Sequence, residues 1–224
     1  MDSLGEQIPQ MTDIDERIIA AASKRFTEEG FSHVTVGEIA AGIGISKKTL
    51  YKHFRSKDEL LVVVTQRLLD GIRGEFRSIV EGESCFLEKL EMLVTFLGKR
   101  LTRFSRPLLS DIQRRSPQIW DRVQQFRRDR ISHDFKGLLL RGVADGFVRR
   151  DVDIDLFLMA FIGAVEAVVN PAVLAELPLS VQEIIRSIMT VFLRGILTAG
   201  ALEEFALIQS RKSAKPVSQL PGVL

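Results

Sequence analysis

A single cysteine, Cys85, stands in 224 residues, so no disulfide can close within the chain and no cysteine-built zinc site can be assembled from it. Histidine is scarce too. His33, His53 and His133 are the whole supply, none lies in an H-E-x-x-H motif, and neither a G-x-S-x-G elbow nor a glycine-rich phosphate loop is present. These gaps argue against an enzyme and imply neither a metal nor a cofactor. Long apolar runs are missing as well: the longest nearly uncharged stretch, Leu156 to Val169, contains Glu166 and is too short to span a bilayer. The opening MDSLGEQIPQ lacks the basic start and apolar run of a secretory signal. With cysteine this sparse, the expectation is a soluble, cytoplasmic protein with no membrane partner. A general excess of charge is also lacking. The net formal charge is +2, and residues 1–60 hold ten acidic against eight basic side chains, so any electrostatic function must be local.

Helical punctuation is abundant, and strand-type alternation between tight turns is hard to find, which predicts an all-α fold. Thr12 with Asp15 resembles a capping box, Ile14, Ile18, Ala21, Ala22 and Phe26 recur at helical spacing, and Gly30 stops the run, predicting a first helix over about 13–29. Thr35 with Glu38 forms a second box that opens a helix of about seven residues, broken at Gly42. Ser46 caps a third short helix through Phe54, and Ser56 with Glu59 starts a longer one running to about residue 80. Further helices are expected at about 84–104, 107–115, 117–145, 153–169 and 180–199, with residues 1–11 and 204–224 as frayed ends.

One stretch departs from the balanced charge. Residues 44–60, GISKKTLYKHFRSKDEL, carry Lys47, Lys48, Lys52, Arg55 and Lys57 before the first acid, Asp58. On a helical wheel Leu50 and Phe54 share one side, supported by Ile45 from the turn, while Lys48 and Lys52 point nearly opposite with Thr49 and Tyr51 beside them. Lys47 reaches that face with its long stem. Such a face suits the major groove of DNA, where lysine donates to guanine O6 and N7 and threonine touches a thymine methyl. Tyr51 and His53 suit phosphate oxygens, and Thr35 and Lys57, at the starts of their helices, stand where N–H groups are free to grip phosphates. Cap, turn glycine, core leucine and outward lysines agree within twenty positions, which a merely solvated basic face would not require.

Phe26, Gly30 and Phe31, followed by TVGEIAAGIGISKKTLYKHFRSKDEL, resemble the DNA-binding domain of the TetR family of bacterial transcriptional regulators over residues 13–60. The resemblance implies a helix-turn-helix domain at 12–55, a connecting helix at 56–80 and a larger ligand-binding and dimerisation body at 81–203, the whole C-terminal part having about nine helices. It also implies a double-stranded DNA operator as partner, contacted by Thr35, Lys47, Lys48, Thr49, Tyr51, His53 and Lys57, with Ser46 opening the recognition helix and Lys52 on its outer face. Lys48 stands where many members have glycine, which points to a different operator sequence.

Residues 154–169, IDLFLMAFIGAVEAVV, are apolar on every face, and 180–199 supplies a second long apolar helix. A homodimer sealed by helices at about 153–169 and 180–199 is therefore expected, two from each subunit, with Ala160, Gly163, Ala164 and Ala167 allowing close approach. The family resemblance further implies a small-molecule effector. Phe96, Phe104, Trp120, Phe126, Met159 and Phe161 are candidates to line an apolar cavity, and Glu166, a carboxylate inside an apolar helix, is expected to meet a polar group of the effector, His133 or an arginine. Arginines between 114 and 130, interleaved with Asp121 and Asp129, suit a salt-bridged outer face. A hydrophobe carrier without DNA binding would explain the apolar body but not the first 55 residues.

Overall fold

A computed structural model of the chain describes residues 11–101, 106–126, 128 and 132–213. Among them are twelve helices and no strand, in keeping with the all-α expectation. The chain forms two compact units: residues 1–70 with 104–120, and residues 71–103 with 121–224.

The first unit contains α1 (Asp13–Glu29), α2 (Val36–Gly42), α3 (Lys47–His53), the start of α4 (Lys57–Glu81) and α6 (Arg106–Arg115). The capping boxes expected at Thr12 and Thr35 form: the Asp15 N–H donates to Thr12 Oγ1 while the Thr12 N–H donates back to the Asp15 carboxylate, and Thr35 and Glu38 repeat the exchange. At Ser56 the hydroxyl accepts from the Glu59 N–H, but the Glu59 carboxylate accepts from the Arg55 N–H instead. Each cap contributes about 1 kcal/mol, which matters most for α2 and α3, only seven residues each. Gly30 ends α1 at φ 87°, a left-handed value that a side chain would resist. Ile18, Ala22, Phe26, Phe31, Val34, Ile39, Leu50, Phe54 and Leu60 are buried together as the core, with the Phe26 and Phe31 rings edge-on at 5.3 Å. α6 packs on α1. Its Asp111 accepts from the Ser32 N–H at 2.7 Å and from the Ser32 hydroxyl, tying the α1–α2 loop to a segment 79 residues away.

The second unit holds the rest of α4, α5 (Phe86–Leu101), the end of α7 (Pro117–Phe126), α8 (Ser132–Ala144), α9 (Ile154–Val168), α10 (Pro171–Glu176), α11 (Val181–Ile196) and α12 (Ala199–Ser213). α5 lies against α11 and α12, and α9 against α8, α10 and α11. Phe135, Phe157, Phe161 and Phe192 form a ring cluster with neighbouring centroids 5.5–6.2 Å apart, a geometry that adds to the apolar area they bury. Phe86 stacks on Phe147 at 5.4 Å and presses so closely on α8 that a Cβ at Gly142 would fall 2.4 Å from its ring.

Four helical expectations change. The stretch 117–145 holds two helices, α7 and α8, rather than one. The six-residue α10, capped by Asn170 with Pro171 at its first turn, was not anticipated. Most of the start of the supposed tail 204–224 is helix: α12 runs to Ser213 with Ala201 and Phe205 buried where it packs on α5. Leu197 is extended and bridges to Val148, so the helix expected at 180–199 stops at Ile196 and a new one begins. For α12 the deciding contact is burial against α5, which local spacing does not record.

Candidate nucleic-acid interface

The turn between α2 and α3 is built by three backbone bonds: the N–H groups of Ile43 and Ile45 donate to the Ala40 carbonyl, and that of Gly44 to the Ala41 carbonyl. Gly44 sits at φ 73°, so glycine is what lets the chain reverse here at no steric cost. Ser46 then caps α3, its hydroxyl accepting from the Thr49 N–H at 3.0 Å. With Leu50 fully buried and Phe54 buried after it, Lys47, Lys48, Tyr51 and Lys52 are all exposed, Tyr51 to 42%. The Lys47 ammonium stands 5.9 Å from the centre of the Tyr51 ring, a cation–π pair on the outward face.

The other expected DNA-binding residues have partners within the protein. Ser46 and Thr49 share a hydrogen bond between hydroxyls at 2.9 Å, and the exposed Thr35 donates its hydroxyl to Glu38 at 2.8 Å. His53 is half-buried, and its Nδ1 lies 2.8 Å from Asp15 Oδ1. The Lys57 ammonium donates to the Phe31 carbonyl and sits 4.1 Å above the Phe31 ring, holding the α1–α2 loop. Two residues the sequence reading passed over also belong here. Arg17 donates to the Ile43 carbonyl at 2.9 Å, and Glu16 pairs with Arg67 of α4. No spacing rule would have found them, because each pairs across a loop.

Local hydrogen bonding shapes the acids at this end of the molecule. The Thr35 N–H, and then its hydroxyl, hold the Glu38 carboxyl below its ordinary range. Burial pushes the Asp15 carboxyl up, but the Thr12 hydroxyl and N–H together with His53 outweigh it, so Asp15 also titrates low. Both therefore stay ionised at neutral pH, and Asp15 keeps an acceptor toward His53.

The candidate effector residues fall in both units. Phe104 lies outside the described residues, and Trp120 belongs to the first unit while the remainder belong to the second. Phe96 and Phe126 are buried, and the Arg73 guanidinium lies 5.7 Å from the centre of the Phe126 ring. His133 is exposed and Met159 is 67% exposed. Glu166, half-buried, pairs with Arg128 at 3.2 Å, one of the arginine partners its position called for. Phe161, by contrast, joins the ring cluster of the core. No group of three or more metal-ligating side chains occurs among the described residues, and no described helix is long and apolar enough to cross a membrane.

A capped short helix, a left-handed glycine turn and a second short helix with buried Leu50 and outward lysines make the N-terminal unit a helix-turn-helix DNA-binding domain. Residues 18–64 match the family of bacterial regulatory proteins, tetR family. The chain is 27% identical over 184 residues to the uncharacterized HTH-type transcriptional regulator YvaF of Bacillus subtilis, covering 82% of this chain and 95% of that one. It is 29% identical over 147 residues to the HTH-type transcriptional repressor KstR2 of Mycobacterium tuberculosis, covering 62% and 71%. Among solved structures, the TetR family transcriptional regulator PfmR of Thermus thermophilus superposes with a TM-score of 0.54 at 28% identity, covering 80% of this chain and 97% of that one. The ketosteroid transcriptional regulator KstR2 superposes with a TM-score of 0.51 at 26% identity, covering 84% and 97%. The tetR-family match thus falls on the helix-turn-helix unit, and over most of its length the chain is similar to HTH-type and TetR family transcriptional regulators.

Proposed function

We propose that this protein is a transcriptional repressor that binds an inverted-repeat operator as a two-fold homodimer and is released by a small hydrophobic or amphipathic effector. The observation that carries DNA binding is the outward face of α3, where Lys47, Lys48, Tyr51 and Lys52 stand exposed over a fully buried Leu50. Lys47 and Lys48 neutralise phosphates at the groove edge as well as reaching base edges, Thr49 reads a base edge, and Tyr51 and Lys52 contact phosphates. His53, with Nδ1 beside Asp15, offers its other nitrogen to a phosphate. Ser46, Thr35 and Lys57 hold the frame, since their polar groups are engaged within the protein.

Dimerisation is supported by the open sides of α9 and α11. Leu156, Met159, Ala160, Gly163 and Ala167 of α9, and Ser187, Val191 and Gly195 of α11, are exposed in the single chain, with Val191 at 69%. A second copy covers this apolar strip and sets two recognition helices roughly 34–36 Å apart, one helical turn of DNA. An apolar effector is supported by kinship to a ketosteroid regulator. The deciding experiment is a binding titration on the protein's own promoter region at several salt concentrations. Affinity falls with a slope of about 0.9 log units per phosphate contact. A flat salt dependence overturns the reading.

A further inference from the structure

A seven-residue helix with one fully buried side chain, Leu50, is not fixed by its own packing. α3 needs outside contacts to hold its rotation and tilt, and the first turn of α1 supplies them at both ends. At the far end, Asp15 Oδ1 lies 2.8 Å from His53 Nδ1, while Oδ2 of the same carboxylate accepts from the N–H and hydroxyl of Thr12, each at 2.7 Å. At the near end, Arg17 donates to the carbonyl of Ile43, in the turn that leads into α3, at 2.9 Å. Between them Glu16 pairs with Arg67 of α4. Three consecutive residues thus grip three different elements.

Resting on the operator-binding reading above, we infer that Asp15 and Arg17 are positioning residues for the recognition helix: they set operator discrimination through His53 and the Ile43 carbonyl without touching DNA. Base readout depends on placing lysine donors to within tenths of an ångström, whereas non-specific phosphate attraction tolerates a shifted helix. Loosening either grip therefore lowers affinity for the correct sequence more than affinity for any other.

The test compares a duplex footprinted in the protein's own promoter region with a scrambled duplex of equal length, for the wild type, Asp15→Ala, Arg17→Met, His53→Gln and the Asp15→Ala/His53→Gln double variant. In Asp15→Ala and in Arg17→Met the ratio of specific to scrambled affinity falls about tenfold, with the salt slope unchanged. The double variant is no worse than the more affected single one, because both act through one contact. Ratios held within about twofold in both single variants overturn the inference. So does a salt slope that drops by about 0.9 in Arg17→Met, which makes Arg17 a direct phosphate contact. If Asp15→Ala loses helix content, Asp15→Asn decides, since its amide has a single oxygen for two acceptor roles. Its ratio falls, and an unchanged ratio counts against positioning. A wild type that prefers neither duplex sinks the operator reading itself, a different outcome from all of these.

Discussion

α3 and α9 each leave one side to solvent, and the two sides have opposite chemistry. α3 turns Leu50 inward and shows Lys47, Lys48, Tyr51 and Lys52; α9 turns Phe157, Phe161 and Ile162 inward and shows Leu156, Met159, Ala160, Gly163 and Ala167. A cationic face is stable in water and gains by meeting a polyanion, so it indicates a partner of another kind. An apolar face of this extent gains only by leaving water, and in the homodimer proposed above a second copy of the same surface covers it. The open face of a helix therefore names the class of its partner more directly than its buried face does.

Neutralising α3 should have the largest effect. With about 2 kcal/mol for each lost lysine contact, Lys47→Gln/Lys48→Gln weakens operator binding on the order of 10³-fold and lowers the salt slope by nearly two contacts' worth. Fluorescence anisotropy at three salt concentrations measures both. An unchanged slope would mean the lysines only decorate a solvated surface and would break the comparison on its polar side.

The apolar side is broken by charge at its centre. In a two-fold seam each substitution acts twice, and losing about 1.5 kcal/mol of side-chain burial at each copy makes Met159→Asp or Val191→Asp raise the dimer dissociation constant on the order of 10²-fold. Sedimentation over a concentration series reads this directly. Variants that stay dimeric at wild-type concentrations would place the seam elsewhere.

The polar half of the comparison was more legible than the apolar half. Boxes at Thr12 and Thr35, the glycine turn and the inward Leu50 could be read because each depends on residues three or four apart. Contacts across long separations could not: Ser32 with Asp111 spans 79 residues and His53 with Asp15 spans 38. For the same reason His53 and Lys57, assigned to phosphates from their position alone, turn out to have partners inside the protein. In the second unit, aromatic identity did not tell which rings meet. Phe161 joined the core cluster with Phe135, Phe157 and Phe192, while Met159, two residues away, faces solvent.

Whether a face is covered also separates two glycines of α8. A Cβ at Gly142 meets the Phe86 ring and Val148, while one at Gly137 meets nothing within 4 Å. Gly142→Ala should destabilise by about 1–3 kcal/mol through overpacking, and Gly137→Ala should stabilise by up to about 1 kcal/mol through helix propensity. Thermal melts that move in opposite directions support the packing of α8. Equal shifts would contradict the close approach at Phe86.

The smallest effect concerns acid. Asp15, Glu38 and Glu183 occupy the third position of α1, α2 and α11, and all three carboxyls titrate below their ordinary values. The Ser180 hydroxyl is the main cause for Glu183, as the Thr35 N–H is for Glu38; at Asp15 burial works the other way and is outweighed by Thr12 and His53. Because the folded values lie below the unfolded ones, this stabilisation is complete above the unfolded carboxylate range of about pH 4 and is lost as pH falls through the folded values. Circular dichroism during acid titration should therefore show helix loss beginning below about pH 4. Replacing Thr12, Thr35 and Ser180 with alanine removes the hydroxyl bonds that favour the ionised acids and leaves the backbone N–H donors in place, so the variant loses somewhat less stability between neutral pH and pH 3, roughly, than the wild type does. An equal loss in both proteins would show that these helix starts do not bind protons differently in the folded and unfolded chain.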